Sequence, residues 1–190
     1  MSQRILIAIT GASGAPYAAS LLRRDLGEKY LVLSQWGRMV LREETGLSED
    51  DLRPFVKQIF PDKDLANAFA SGSNGFDAMV IAPCSLSTMA KIAVGIADSL
   101  ITRAALVALK ERRRLVLVVR EAPWTTSALE NATRLSRDGV IILPASPPFY
   151  HRPASLEELV EHMVDKIEGA LGGTPERRWR AEPLDDEGSA

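Results

Sequence analysis

Five short apolar, β-branched runs separated by stretches of helical spacing constrain this 190-residue chain more than any other feature. The runs are 5–9, 31–33, 78–81, 115–119 and 140–143, and they read as buried strands. Helical spacing fills 17–26, 37–45, 88–94, 99–110 and 128–137 between and after them. A strand followed by a crossover helix returns parallel to its predecessor, so the alternation predicts an α/β fold: a doubly wound parallel sheet in three layers. A last amphipathic helix is expected over 155–171. It opens on Ser155-Leu156-Glu157-Glu158, which fits a Ser-x-x-Glu capping box, and stops before Gly172-Gly173.

Length allows one compact domain with one large core, expected over 1–172, with 173–190 a polar tail rich in Pro, Arg and acids, loose from Ala181 unless a neighbouring subunit holds it. No apolar run approaches the roughly 20 residues of a membrane span. Met1-Ser2-Gln3-Arg4 leads into a β-like run without the zones of a secretory signal, so a cytoplasmic, soluble protein is expected. A net charge of −2 offers no general attraction to nucleic acid. One cysteine, Cys84, excludes an intrachain disulfide and a cysteine-based zinc site, and it reads as a packing residue rather than a nucleophile. His151 and His162 are too few for a His-based metal site, and the acids lack calcium-loop spacing, so no metal is expected.

Ligands of such sheets gather beyond the carboxyl ends of the strands. There the chain turns small and polar: Thr10-Gly11-Ala12-Ser13-Gly14-Ala15-Pro16, then Ser34, then Pro83-Cys84-Ser85-Leu86-Ser87-Thr88, then Arg120-Glu121, then 144–150. The glycine segment before Pro16 can offer N–H groups and a hydroxyl to an anion such as a phosphate, or it is an ordinary turn before a capped helix. It lacks G-x-G-x-x-G, which disfavours a dinucleotide and leaves a mononucleotide open. Ser85, Ser87 and Thr88 form a second hydroxyl-rich helix start, explained equally by N-capping. Arg120-Glu121 could bind an anion and position an acid, or be a solvated pair. In the basic run 110–114 only Lys110 stands out from a solvated face. Glu43-Glu44 falls at a helix end where negative charge is unfavourable, a hint that one carboxylate has another task.

Together, Gly11-Ala12-Ser13-Gly14-Ala15, Ala82-Pro83-Cys84-Ser85, Arg103-Ala104-Ala105 with Ala108-Leu109-Lys110-Glu111-Arg112-Arg113, Arg120-Glu121-Ala122-Pro123 and Phe149-Tyr150-His151-Arg152-Pro153 resemble the UbiX family of flavin prenyltransferases over residues 4–171. The resemblance implies a flavodoxin-like Rossmann fold, a homododecamer with sites at subunit junctions, and FMN and dimethylallyl phosphate as substrates. It implies that Gly11, Ala12, Ser13, Ser34, Ser85, Leu86, Ser87, Thr88 and Arg120 hold FMN. Arg103, Lys110, Glu121, Tyr150 and Lys166 would grip the prenyl phosphate, and Ser13, Glu44 and Glu121 would be catalytic. The product would be prenylated FMN for a UbiD-type decarboxylase. Where the family commonly reads Ser-Lys this chain has Ser34-Gln35-Trp36, and Leu65 stands where a pocket tryptophan sometimes lies. Two rivals are an FMN-dependent cysteine decarboxylase, which needs an early catalytic histidine that this chain lacks, and a non-enzymatic flavin carrier, which would not need Lys110, Glu121, Tyr150 and Lys166 together.

Overall fold

The computed structural model describes residues 2–175; the tail expected from 173 therefore lies outside the described residues from 176 onward. Six strands form one parallel sheet in the order β3-β2-β1-β4-β5-β6: β1 Arg4–Ile9, β2 Glu28–Leu33, β3 Gln58–Pro61, β4 Ala78–Cys84, β5 Arg114–Val119 and β6 Ile141–Pro144. Without the short edge strand β3, the order is that of flavodoxin, with its switch point between β1 and β4. The sequence gives little sign of β3, because Gln58-Ile59-Phe60-Pro61 holds only two apolar side chains and a proline. It pairs with β2 alone, Tyr30 opposite Gln58 through Leu33 opposite Pro61, and an edge is where proline is tolerated.

The strands divide their side chains between two cores, as a period of two requires. Ile5, Ile7, Ile9, Leu31, Leu33, Val80, Val116 and Val118 pack beneath α1 (Ala15–Arg23) and α7 (Leu156–Leu171). Leu6, Ala8, Val32, Met79, Ile81, Leu115 and Leu117 pack beneath α4 (Leu86–Ala93), α5 (Leu100–Lys110) and α6 (Thr126–Arg137). Both faces of the sheet are covered, which is why the strand runs are apolar throughout rather than alternating. The remaining helices are α2 (Gln35–Thr45) and the short α3 (Glu49–Leu52).

Most helices fall within two residues of their expected bounds, and α1 ends at Arg23, three residues before the expected 26. Ser34, Ser85, Ser99, Thr125 and Ser155 each accept a backbone N–H of the first turn they open. In α7 Glu158 completes only half of the expected box, since its carboxylate accepts from Ala154 N (2.7 Å) rather than from the Ser155 backbone. Gly172 ends α7 in the left-handed region (φ 91°), where a side chain would be strained. No helix among the described residues is long and apolar enough to cross a membrane.

Candidate active site

Thr10 fastens the switch point. It is 2% exposed, its hydroxyl donates to Pro83 O (2.8 Å) and accepts from Ser85 N (2.9 Å), and its own N–H reaches Pro83 O. The carboxyl ends of β1 and β4, and with them the starts of the glycine loop and α4, are thereby held side by side. Its chemistry is ordinary for a strand end, and only the long-range pairing marks it out.

A cleft of about 800 Å³ opens over these ends, within the range of roughly 300–1,000 Å³ usual for small-ligand sites. Thr10, Gly11, Ser34, Ser85, Ser87 and Thr88 line one side, and Asp62, Lys91, Asp98, Ser99 and Thr102 the other. Two helices start here. Ser85 Oγ accepts from Thr88 N (3.2 Å), so capping is real, yet the first N–H groups of a helix have no partner within it and favour an anion. At α5 the Asp62 carboxylate accepts from Ile101 N (3.0 Å) and Asp62 O from Leu100 N (2.7 Å). Lys91 and Asp98 form an ion pair at 2.6 Å. Asp98 is held below the usual carboxylate range, chiefly by the Lys91 hydrogen bond. The Asp62 part of this wall carries no sequence signal, because Asp62 follows the strand that was not legible.

The walls approach closely where glycine is required. A Cβ on Gly11 would fall 2.5 Å from Trp36 Cβ, and one on Gly37 2.2 Å from Ile9 O. The start of α2 therefore lies directly on the end of β1, with the Trp36 side chain in the cleft and 61% exposed. Ser34 Oγ accepts from Gly37 N (2.9 Å), and Arg38 donates to Leu33 O (2.8 Å) while pairing with Glu49 at 2.7 Å.

Across the glycine loop lies a groove of about 670 Å³ lined by Ser13, Gly14, Tyr17, Glu44 and the first turn of α7. Glu44 Oε2 accepts from both Gly14 N and Ala15 N, each at 2.8 Å. The N–H groups read as a site for an anion thus bind an anion of the protein itself, and the carboxylate misplaced at the end of α2 is well placed at the start of α1. Arg120 Nε donates to Ser13 O (3.3 Å). Tyr17 lies within the field of both: burial first, then Glu44, raises its hydroxyl above the usual range, and Arg120 opposes them.

The remaining expected residues separate. Arg120 and Glu121 make no ion pair with each other; Glu121 folds back to accept from Ala122 N (3.0 Å), and Trp124 Nε1 donates to Glu121 O (3.0 Å). Tyr150 stacks at a tilt on His151, ring centroids 4.3 Å apart, and Lys166 lies close enough to affect His151 electrostatically. Arg103 and Lys110 share one face of α5, seven residues apart, and leave the cleft behind. Arg103 Nε donates to Ala70 O (3.2 Å). Lys110 pairs with Glu111 at 3.0 Å beside Arg112 and Asp138, at the amino edge where β5 begins. About 15 Å of helix separates the two ends of α5. Ala12 is buried, and Leu86 packs against the core. Cys84 is fully buried and burial pushes its thiol far up, which fits packing and not nucleophilic chemistry. Among the described residues no group of three or more His, Cys, Asp or Glu is arranged for a metal.

The model of the family described as Flavoprotein matches residues 1–172. Flavin prenyltransferase UbiX of Thermoplasma acidophilum is 46% identical over 170 residues, 89% of this chain and 94% of that protein. AnUbiX (PadA1), solved in complex with FMN and dimethylallyl pyrophosphate, superposes with a TM-score of 0.92 at 36% identity, covering 96% of this chain and 100% of that one. A dodecameric FMN-dependent UbiX-like decarboxylase from Escherichia coli O157:H7 gives 0.88 at 37%, covering 93% and 99%. The chain belongs to the flavoprotein family, among its UbiX flavin prenyltransferases.

Proposed function

We propose that this protein transfers a dimethylallyl group from dimethylallyl phosphate to N5 and C6 of reduced FMN, making prenylated FMN for a UbiD-type decarboxylase. The observation that carries the reading is the Glu44 carboxylate on the glycine loop, beside Ser13, Tyr17 and Arg120, in a groove across that loop from a hydroxyl-rich cleft of small-ligand size. An acid–base group thus adjoins a site fit for a phosphorylated planar ligand. The cleft suits FMN by its donors: hydroxyls of Ser34, Ser85, Ser87 and Thr88, and the start of α4 for a phosphate. Arg120, Gly11, Ala12, Ser13 and Leu86 complete the FMN set.

Reduced FMN, a substrate here, supplies the nucleophilic nitrogen. The chain's own residues do the rest. Cations of Arg103, Lys110 and Lys166, with Tyr150 and Glu121, hold the phosphate as the allylic C–O bond breaks and its electron pair moves to oxygen, and fixed charge lowers that barrier without reorganising. Glu44, with Ser13, moves the proton displaced when the second bond, the carbon–carbon bond at C6, closes. Arg103 and Lys110 lie along a helix leading away from the cleft, so they serve the site of a neighbouring subunit, in an assembly we take to be a dodecamer acting in the cytoplasm.

A flavin carrier needs the cleft and neither Glu121 nor Lys110. Glu121→Gln keeps shape and removes the titratable proton, so FMN affinity should fall less than about tenfold while product falls on the order of 10²-fold or more. Fluorescence titration with FMN and mass spectrometry of the flavin, on one preparation, read both. Unchanged turnover would return Glu121 to the solvated loop.

A further inference from the structure

The imidazoles of His151 and His162 stack face to face, centroids 4.2 Å apart and planes 11° from parallel. His162 comes from the second turn of α7 and His151 from the loop after β6, and both are half-buried. The Tyr150 ring lies tilted against His151, centroids 4.3 Å apart. Lys166, one turn beyond His162, and Asp165 supply the charges that act on His151. Asp165 in turn is bound to Arg24 of α1 at 2.9 Å, and Arg24 also pairs with Glu161. Stacked imidazoles expose no convergent pair of lone pairs, so this is not a metal site, and two positive charges at this separation oppose each other. A proton on one ring therefore disfavours a second on the other.

We propose that the His151–His162 stack is a proton reservoir for the phosphate end of the prenyl donor, taking up one proton as the monoester dianion binds beside Tyr150 and Lys166. The proposal rests on the reading of those two residues as prenyl-phosphate ligands. Its chemical need is plain. Heterolysis of the C–O bond in a dianionic monoester leaves both bonding electrons on oxygen, as a phosphate trianion; one proton delivered to it gives hydrogen phosphate and returns the pair to neutral. Partial desolvation, then His162 and Lys166, hold His151 below the ordinary imidazole range, with Asp165 opposing. These influences favour the neutral ring, and an incoming dianion opposes them.

The test is calorimetric titration of dimethylallyl phosphate into protein loaded with oxidised FMN, which binds without turnover, near pH 7.5. The free monoester is then already mostly a dianion, its second pKa being about 6. Comparing two buffers of different ionisation enthalpy counts protons. We expect on the order of one proton taken up at the optimum, abolished in the His151→Phe, His162→Phe double variant. In His162→Phe alone the uptake maximum should move to higher pH, because His151 loses the neighbouring charge. FMN binding of each variant checks its fold, and His162→Gln replaces any that fails. Uptake that is absent in the wild type, or persists in the double variant, overturns the proposal. A wild type that makes prenylated flavin yet binds the donor without a proton sinks only the reservoir; one that binds no donor sinks the prenyl-phosphate reading as well.

Discussion

The carboxylate of Glu44, last turn of α2, accepts the backbone N–H of Gly14 at 2.8 Å, thirty residues earlier in the chain. One oxygen takes Ala15 N as well, so a single side chain caps α1, fixes the glycine loop and stands beside Tyr17. The arrangement couples the shape of the loop to the ionisation of a group we assign to proton transfer. Glu44→Gln retains an acceptor and loses the charge. Stability should fall by about 1 kcal/mol, the size of a charge at a helix start, and FMN affinity by less than tenfold. Product formation should fall on the order of 10²-fold. Denaturant unfolding, FMN titration and product mass measure the three. Equal losses of binding and product would make Glu44 a structural cap only.

Tyr17 reports on the same pair of charges. Burial and Glu44 raise its pKa and Arg120 lowers it, so the folded hydroxyl releases its proton above the value of about 10 of an unfolded tyrosine. Its contribution to stability is full below that value and is lost as pH rises through the folded pKa. Glu44→Gln should lower the Tyr17 midpoint and Arg120→Gln should raise it. Ultraviolet titration of tyrosinate, with Tyr17→Phe to identify the signal, checks both directions; a midpoint indifferent to both would separate Tyr17 from the site.

Arg103 and Lys110 give a test of shared sites. Glu121 lies beyond the carboxyl end of β5, and Lys110 lies near the amino edge from which β5 starts. Lys110→Ala and Glu121→Gln should each lose product on the order of 10²-fold. When the two inactive proteins are dissociated, mixed and reassembled, some junctions receive both intact residues, and activity should rise well above either parent. No recovery in assemblies shown to contain both variants would place both residues in one protomer's site.

Much of the architecture was legible because it rests on local rules. The strand runs and the serine, threonine and glycine caps carry their own signals, and the doubly wound sheet follows from the alternation. β3 escaped because an edge strand need not be apolar on both faces, and with it went the Asp62 wall of the cleft. The carboxylate near 44 was legible as an anomaly against the helix dipole, but its partners at Gly14 and Ala15 were not, since they depend on how α2 crosses the start of α1. The same limit hid Thr10, whose hydrogen bonds span more than seventy residues, and the stack of His151 on His162, which needs α7 to return past the loop after β6. Arg103 was legible only through resemblance, and Lys110 stood out in its basic run without a stated partner; neither lines the cleft of its own chain.

The central claim is that this chain makes a carbon–nitrogen and a carbon–carbon bond to flavin, using no metal. Anaerobic incubation of the purified protein with reduced FMN and dimethylallyl phosphate, in the presence of a strong chelator, followed by mass spectrometry of the released flavin, tests it most directly. The account predicts FMN heavier by one isoprene unit, formed at the same rate with and without chelator. Recovery of unmodified FMN alone, or a product that appears only when magnesium is restored, would contradict it.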